Sequence, residues 1–378
     1  MRKIRGRSVA GMAALVMAGL LAACSSSPEP AETEAAAPAE TEAAAEAGEE
    51  AAAETEAAAE GEAQEGTPEK LFSLTWAPAY DEQHGLTQAG LQADAKIREL
   101  SGGTIGFEFF PGGQLGSERE VFESLQLGTI DAAFISSPVI SGFTDALDGF
   151  DMPYLCDNDM DLYQEIVNSG IGEQMFDVFE QDTGVVGISY LINPGRDFYL
   201  NKEFNSLEDA HGIKLRSMES PIHIDTYTAL GFNPTPMAYS EIYQAMQSGT
   251  IDGFEDVSVS VRAQKNYEVA KHVVISGHLT AAPVFVMSQK AWNSLTEEEQ
   301  GWMMEAGIVA QEATKVTYQE QTPLTYEFME EQGLTVTTLD VAQAKELVQP
   351  VIEKYCEQSE NIKTVVDYFN NYRAEHGV

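Results

Sequence analysis

Cysteine and basic residues are scarce in this chain of 378 residues. It has three cysteines, and its 21 lysines and arginines face 61 aspartates and glutamates, a net charge of −40. Cys156 and Cys356 could pair in an oxidising compartment, but two distant cysteines make no disulfide framework, and we expect both to be free. So acidic a surface argues against nucleic acid and against direct adhesion to anionic lipid. An anionic ligand would therefore need a local basic site.

Sequence motifs for catalysis and metal binding are also absent. There is no His-Glu-x-x-His, no Gly-x-Ser-x-Gly, no glycine-rich phosphate loop and no Cys-x-x-Cys. The histidines lack metal-ligand spacing and are interpreted as surface or packing residues. They are His84, His211, His223, His272, His278 and His376. These absences weigh against an enzyme, and we predict no catalytic residue, no metal and no cofactor.

The N-terminus has the pattern of an export signal. Its basic residues are Arg2, Lys3, Arg5 and Arg7, and a short apolar stretch follows from Ser8 to Ala23. This stretch is too short for a comfortable membrane span. It ends in Leu21-Ala22-Ala23-Cys24, which resembles the bacterial lipobox, in which the cysteine is acylated after cleavage. We predict a lipoprotein signal peptide at 1–24 with lipidation at Cys24; the alternative is an ordinary cleaved signal with an incidental cysteine.

Residues 25–66 form a low-complexity segment rich in alanine and glutamate. It has no lysine, arginine or aromatic residue. Such a composition cannot bury enough apolar surface to offset the entropy of ordering. We predict a disordered acidic tether that holds the folded part away from a membrane, although fluctuating helix is an alternative.

Between residues 67 and 378, short β-branched or aromatic runs alternate with amphipathic helical patterns. This alternation is typical of an α/β fold, and the length suits two lobes better than one. The runs predicted as strands are Leu71–Trp76, Ile105–Phe110, Val185–Tyr190, Ile213–Met218, Val273–Ile275 and Val284–Met287.

Two capping boxes mark the starts of helices. Residues 117–120 predict a helix that ends at Gly128, and residues 296–299 begin a long helical region towards Gly333. Pro323 is predicted to kink or break that region, because proline removes a hydrogen bond and clashes with the preceding turn.

One pentapeptide recurs in the two halves of the chain. Leu-Gly-Thr-Ile-Asp at 127–131 returns as Ser-Gly-Thr-Ile-Asp at 248–252, each time after a predicted helix and before an apolar run. Local physics could produce this twice, since a glycine C-cap often leads into a strand. We interpret it as a two-lobe pseudo-repeat. Two facing α/β sheets would enclose a ligand beyond their strand ends.

Two arginines are candidates for carboxylate recognition. Arg216 lies towards the end of a predicted strand, and Arg196 lies on a turn between the predicted lobes. A guanidinium binds a carboxylate through two parallel charge-assisted hydrogen bonds. The alternative for each is a surface salt bridge with one of the many acidic residues.

Five sequence blocks resemble one known family. The chain is similar to the substrate-binding proteins of tripartite ATP-independent periplasmic (TRAP) transporters, of the C4-dicarboxylate-binding (DctP) type, over about residues 70 to 375. The blocks are Phe-Pro-Gly-Gly-Gln-Leu-Gly-Ser-Glu-Arg-Glu from 110, Leu-x-x-Gly-Thr-Ile-Asp from 125, Asp-Met-Pro-Tyr-Leu from 151, Gly-Ile-Lys-Leu-Arg from 212 and Leu-Gly-Phe-Asn-Pro-Thr-Pro-Met-Ala-Tyr-Ser-Glu-Ile-Tyr-Gln-Ala-Met-Gln-Ser-Gly-Thr-Ile-Asp-Gly-Phe-Glu-Asp from 230.

The resemblance implies a two-lobed periplasmic-binding-protein-like (type II) α/β fold with hinge strands and a ligand cleft between the lobes. We assign lobe I to 67–193 plus about 282–322, and lobe II to 194–281 plus about 323–378. The protein would be extracytoplasmic and anchored to the cell membrane by lipid. It would capture a small organic acid and deliver it to small and large TRAP membrane subunits. The alternative is a ligand-sensing ectodomain or adaptor for a signalling receptor.

The resemblance also assigns residues to the binding site. Arg216 corresponds to the carboxylate-binding arginine of the family, and Arg196 to its usual second arginine. Tyr239 falls where the family places an aromatic ring on the ligand, although it could instead be plain core. Glu118 and Ser136 fall on the wall of the first lobe.

One residue departs from the family pattern. The family commonly has Asp-Gly-x-Glu-Asn, whose asparagine assists at the substrate carboxylate, whereas this chain has Asp256 at that position. An ionised Asp256 within the pocket would partly neutralise the two arginines. We therefore expect a monocarboxylate with hydrogen-bond donors, such as a sugar acid or hydroxy acid, over a dicarboxylate; alternatively Asp256 pairs with an arginine or turns outward and leaves specificity to other residues.

The lipobox interpretation is testable at Cys24. Changing Cys24→Ala removes the thiol that would carry the acyl chains, so the protein should be unacylated and released into the aqueous compartment. Membrane fractionation with metabolic acyl labelling measures this. A Cys24→Ala protein that still partitions with membranes through an acyl chain would contradict the prediction.

Overall fold

The computed structural model describes residues 68–77 and 80–377. The predicted signal segment, the tether and Cys24 lie outside the described residues. Within them the strands form two sheets. The strands are β1 Lys70–Trp76, β2 Ile105–Pro111, β3 Ala132–Ser136, β4 Val185–Tyr190, β5 Asp197–Leu200, β6 Lys214–Ser217, β7 Asn233–Pro236, β8 Gly253–Asp256, β9 His272–Ile275, β10 Pro283–Ser288 and β11 Thr335–Thr338.

Helices connect the strands, and each of the six predicted strand runs coincides with an observed strand. The α/β prediction is therefore confirmed. The helices are α1 Gly85–Ser101, α2 Glu118–Leu127, α3 Ser137–Ile140, α4 Met160–Val167, α5 Gly170–Thr183, α6 Pro221–Ala229, α7 Ile242–Ser248, α8 Ser258–Ala263, α9 Gln289–Trp292, α10 Glu297–Glu331, α11 Val341–Gln358 and α12 Glu360–His376.

The two sheets share one strand order and one set of strand directions. The first has the order β2-β1-β3-β10-β4, and the second has β7-β6-β8-β5-β9 with β11 added at its edge. In each, the first three strands are parallel and the next two pairings are antiparallel. The matching topology supports a duplicated architecture.

The strands pass between the sheets three times. The chain leaves the first sheet after β4, builds β5 to β9 of the second, and returns to insert β10 between β3 and β4. It then crosses again to add β11 to the edge of the second sheet. The C-terminal helix α12 packs its apolar face, including Val365 and Phe369, into a core of the first sheet beside Phe150. The predicted lobe bounds remain a proposal.

Both faces of the first sheet are buried, and side-chain alternation divides its residues between two cores. Phe134 and Phe285 point to the face covered by α1 and α10. Their neighbours Ile135 and Val284 point to the opposite face, which α2 and α5 cover. This explains why these strands appear in the sequence as continuous apolar runs.

The repeated pentapeptide has the same structure in both halves. Gly128 ends α2 and Gly249 ends α7, each with positive φ, of 67° and 72°. The aspartate that follows accepts a hydrogen bond from a neighbouring strand: Asp131 from the Ser73 amide at 2.9 Å, and Asp252 from the Lys214 amide at 3.0 Å. The repeated pentapeptide therefore forms the same connection from helix to strand in both sheets.

Both predicted capping boxes are present, at Ser117 and Thr296. Pro323, which was predicted to kink or break the long helical region, lies inside α10. Helix α10 is continuous from Glu297 to Glu331, so the prediction of a break is wrong. The helix packs along α1 and contributes Met329 to a core of the second sheet. This packing on both sides of the proline offsets one missing hydrogen bond.

The described residues contain no disulfide, and Cys156 and Cys356 are free as predicted. No described helix is long and apolar enough to cross a membrane. Residues 68–77 and 80–377 also contain no cluster of three or more histidine, cysteine or acidic side chains suited to a metal ion.

Candidate functional site

The second sheet places the two candidate arginines on either side of one strand, β8. Arg196 immediately precedes β5, and Arg216 lies on β6. Strand β8 lies between β5 and β6, and it ends in Glu255 and Asp256. These four residues, called the arginine cluster below, are at most 6% exposed. Sheet order therefore places two acidic side chains between two basic ones.

Glu255 bridges both arginines. Its Oε2 accepts from Nε of Arg196, and its Oε1 lies 3.2 Å from Nη1 of Arg216. Its backbone oxygen also accepts from Nη2 of Arg196 at 3.0 Å. The sequence analysis gave Glu255 no role. A signal was available, because an acid inside a fully buried strand requires a basic partner.

Asp256 also pairs with Arg196. Its Oδ1 lies 3.1 Å from Nη1 of Arg196 and accepts from the Val257 amide at 2.8 Å. The other oxygen, Oδ2, is buried without a hydrogen-bond partner in the described part of the chain. Asp256 thus makes the arginine contact that the sequence analysis left as an alternative, and it keeps one free acceptor.

The guanidinium of Arg216 has fewer polar contacts within the described protein than that of Arg196. Its Nε donates to the Met237 carbonyl at 3.1 Å, and its Nη1 contacts Glu255. No acceptor among the described residues contacts its Nη2. The guanidinium lies 5.8 Å from the centre of the Tyr239 ring, whose hydroxyl accepts from Asn266 at 3.3 Å. The ring of Tyr239 is half-buried and packs on a core of the second sheet, so it contacts both core and cluster.

Glu118 and Ser136 lie together on the first sheet. Glu118 begins α2, and its Oε1 accepts from the Ser136 amide at 3.1 Å and from the Ser136 hydroxyl at 3.0 Å. Burial raises the pKa of Glu118 to about 7, against these hydrogen bonds and the charges of Arg216 and Arg196. The two arginines that oppose this rise belong to the other sheet.

Asp151 is a second residue that the sequence analysis quoted without assigning a role. It is fully buried, and its Oδ1 accepts from the Ser137 hydroxyl at 2.7 Å. Burial raises its pKa well above the ordinary range, which Arg196 partly opposes. Its Oδ2 has no partner among the described residues. When protonated, Asp151 can donate a hydrogen bond from this second oxygen.

The two halves are joined beside the cluster by a buried contact. Nε2 of His84, the N-cap residue of α1, lies 2.9 Å from the Ser260 hydroxyl on α8. The Tyr80 ring stacks on His84 at 3.4 Å, and both Asp256 and Glu118 act on the pKa of Tyr80, which burial raises. His84 was interpreted as a surface or packing residue; it is a buried contact between the halves.

A surface cavity of about 400 Å³ lies elsewhere, between α5, β4 and α10. It is lined by Phe176, Met304 and Gln311 together with Glu173, Asp177 and Glu180, and no lysine or arginine contributes to its wall. An anion would meet uncompensated negative charge there. The arginine cluster is therefore the better candidate for binding a carboxylate.

Comparison with known proteins identifies a matching protein family. The DctP family model, described as bacterial extracellular solute-binding protein, family 7, matches residues 77–359. The chain is 26% identical over 259 residues to the sialic acid-binding periplasmic protein SiaP of Vibrio cholerae, over 68% of this chain and 80% of that protein.

Two solved TRAP periplasmic solute-binding proteins have the same two-sheet fold. The protein from Pseudomonas putida F1, with bound D-glucuronate, is 27% identical with a TM-score of 0.74, over 79% of this chain and 96% of that one. The protein from Xanthobacter autotrophicus, with bound β-D-galacturonate, is 26% identical with a TM-score of 0.74, over 79% and 98%.

The raised pKa of Glu118 gives a testable dependence of stability on pH. Between its ordinary 4.5 and about 7, the folded state keeps a proton that the unfolded chain has released, so stability falls as pH rises through this window. Glu118→Gln cannot titrate and should remove that part of the slope. Across this window the free energy of unfolding should change by less than about 3 kcal/mol. The full value is not reached because the side chain is partly exposed, so solvent screens its charge.

Urea unfolding of the wild type and Glu118→Gln below and above this window measures the difference. Glu123→Gln, an exposed change on the same helix, is the matched control. Equal slopes for the wild type and Glu118→Gln would contradict the prediction.

Proposed function

The chain belongs to the DctP family of bacterial extracellular solute-binding proteins, and we propose that its ligand is a monocarboxylate carrying several hydroxyl groups. Proteins of this family are TRAP transport proteins and not enzymes. One observation carries the proposal. The arginine cluster balances two guanidinium groups with two carboxylates, and it leaves Asp256 Oδ2 buried without a donor.

The free donor of the cluster supports binding of a carboxylate. Nη2 of Arg216 has no acceptor in the described chain, and Arg216 stacks near Tyr239. A ligand carboxylate beside Arg216 would receive a charge-assisted hydrogen bond, while Arg196 supports it from the neighbouring strand. Glu118 and Ser136 would form the wall of the first lobe opposite the arginines.

The charge balance disfavours a second anionic group on the ligand. Glu255 and Asp256 already neutralise the two arginines. Glu118, whose pKa is raised to about 7, adds a further negative charge when the pH exceeds that value. A second carboxylate about 5 Å from Asp256 would cost roughly 3 kcal/mol at an effective dielectric near 20. This corresponds to about a hundredfold in affinity.

The unpartnered polar atoms favour a hydroxylated ligand. Asp256 Oδ2 accepts hydrogen bonds only, whereas the neutral carboxyl of Asp151 can donate one. A sugar acid carries hydroxyl groups that both donate and accept, so it satisfies both atoms. The uronates bound in the similar structures from P. putida and X. autotrophicus support this class.

The ligand would be passed to small and large TRAP membrane subunits. The family assignment supports this role, since solute-binding proteins of TRAP transporters work with membrane subunits. The lipobox at Cys24 and the acidic segment that follows support a lipid anchor with a spacer outside the cytoplasm. Both remain part of the proposal.

Arg216→Lys should lose most ligand binding although the charge is kept. Lysine offers one point charge where the site needs a planar fork that donates to Met237, Glu255 and the ligand together. Losing one charge-assisted hydrogen bond of roughly 1.5 to 3 kcal/mol weakens binding about tenfold to a hundredfold. Calorimetry measures the affinity, and thermal unfolding controls for folding. Unchanged affinity would remove Arg216 from the site.

A thermal-shift screen tests the ligand class. We expect uronates or aldonates to stabilise the protein, with succinate and malate about a hundredfold weaker. Asp256→Asn removes the negative charge while keeping the size of the side chain. It should therefore raise the affinity for dicarboxylates and reduce the difference between the two ligand classes. Amino acids complete the panel, because an ammonium group could also donate to Asp256.

The screen has a clear opposing outcome. Tight binding of a C4-dicarboxylate by the wild type, with no stabilisation by hydroxylated or amino monocarboxylates, would overturn the proposed ligand class.

A further inference from the structure

Four buried side chains form a hydrogen-bonded chain next to the arginine cluster. Ser276 Oγ lies 2.8 Å from Nδ1 of His278, whose Nε2 lies 3.3 Å from the Tyr227 hydroxyl. The same hydroxyl lies 3.4 Å from Nδ1 of His223. His223, Tyr227 and His278 are completely buried, and Ser276 is 6% exposed. The chain ends at Nε2 of His223, which is buried without a partner in the described residues.

The tautomers of the two histidines follow from the direction assigned to the Ser276 hydroxyl. With this hydroxyl donating to the Arg196 carbonyl, 3.3 Å away, its oxygen accepts from Nδ1 of His278. Burial lowers the pKa of His278, so the ring is neutral and Nε2 accepts from the Tyr227 hydroxyl. That hydroxyl has one proton and must therefore accept from Nδ1 of His223.

His223 is consequently left with a lone pair on Nε2. Burial lowers its pKa, so the ring is neutral and its one proton lies on Nδ1. Glu255 also acts on Tyr227, and burial together with Glu255 raises the pKa of the phenol. Donation by Tyr227 to Glu255 would give the same result, because the hydroxyl oxygen would still accept from His223. With Ser276 donating to Arg196, both arrangements make Nε2 of His223 an acceptor only.

His223 lies where the two halves of the protein meet. It follows Ile222, which packs in a core of the first sheet, and lies one turn before Tyr227, which packs in a core of the second. Helix α6 follows β6, the strand of Arg216. After burial, the charges of Arg196 and Arg216 are the causes that lower the pKa of His223. The ring is linked to the cluster through Tyr227 and His278, whose backbone amide donates to the Arg196 carbonyl at 3.2 Å.

We propose that Nε2 of His223 accepts a hydrogen bond from one hydroxyl of the bound acid and so helps determine which acids bind. The inference rests on the proposed function and deepens it. A buried acceptor without a donor is costly, and a ligand hydroxyl supplies that donor. Because Nε2 cannot donate, an acid that presents only a carbonyl or ether oxygen there is rejected. His223 is thus a specificity residue for hydroxylated acids.

Two variants separate the ring nitrogens. His223→Asn places an amide near the position of Nδ1, so it can still donate to Tyr227 but lacks the distal acceptor. His223→Gln places a carbonyl oxygen near the position of Nε2. Calorimetry with D-glucuronate and D-galacturonate should show a loss on the order of tenfold to a hundredfold for His223→Asn. His223→Gln should recover most of that loss. His376→Asn, at an exposed histidine on α12, is the matched control.

A spectroscopic measurement on the wild type does not depend on any variant. With nitrogen-15-labelled histidine, the His223 ring should show the tautomer protonated at Nδ1 before and after the uronate is added. The Nε2 resonance should shift on addition, because it gains a hydrogen bond. A ring protonated at Nε2, or an Nε2 resonance unchanged by a ligand that binds, would overturn the inference.

The outcomes separate the two proposals. If the wild type binds no hydroxylated acid in the screen, the proposed function fails and this inference fails with it. If the wild type binds a uronate and a folded His223→Asn protein binds it equally well, only the role of His223 is overturned. Equal losses in His223→Asn and His223→Gln would also overturn it, since a packing role does not depend on the distal acceptor.

Discussion

Burial of charge is the constraint on which the site depends. Arg196 and Arg216 are almost fully enclosed, and an enclosed ion without a partner costs several kcal/mol. Strand β8 supplies the partners, because it lies between the two strands associated with the arginines and carries Glu255 and Asp256. The cluster is thus nearly neutral before any ligand binds. What remains for a ligand is one free donor on Arg216 and a small set of unpartnered polar atoms.

The duplicated sheets explain why those atoms converge. The two sheets have the same order of five strands, and the chain crosses between them before β5, before β10 and before β11. Glu118 and Asp151 come from the first half, while the arginine cluster and His223 come from the second. The His84–Ser260 contact joins the halves beside them. Selectivity for hydroxylated acids would therefore depend on both halves being closed together.

Much of the fold was predictable from local pattern. Capping boxes at Ser117 and Thr296 and all six predicted strand runs are present in the structure. The break predicted at Pro323 was wrong, because packing of α10 against α1 and the second sheet outweighs one lost hydrogen bond. Arg196 and Arg216 could be singled out since bases are rare, but Asp151 could not be distinguished by type among 61 acidic residues. Glu255 could be noticed only from its place inside a buried strand.

The sequence by itself determined the α/β class, the positions of the strands and the family, since these depend on periodicity, capping and ordered motifs. Only the tertiary structure decided that Asp256 pairs with Arg196 yet keeps one free oxygen, and that His223 ends a chain of buried hydrogen bonds. The reason is physical. Whether a polar atom has a partner depends on groups brought together from distant strands, and the number of hydrogen bonds an atom lacks is not encoded near it in the chain.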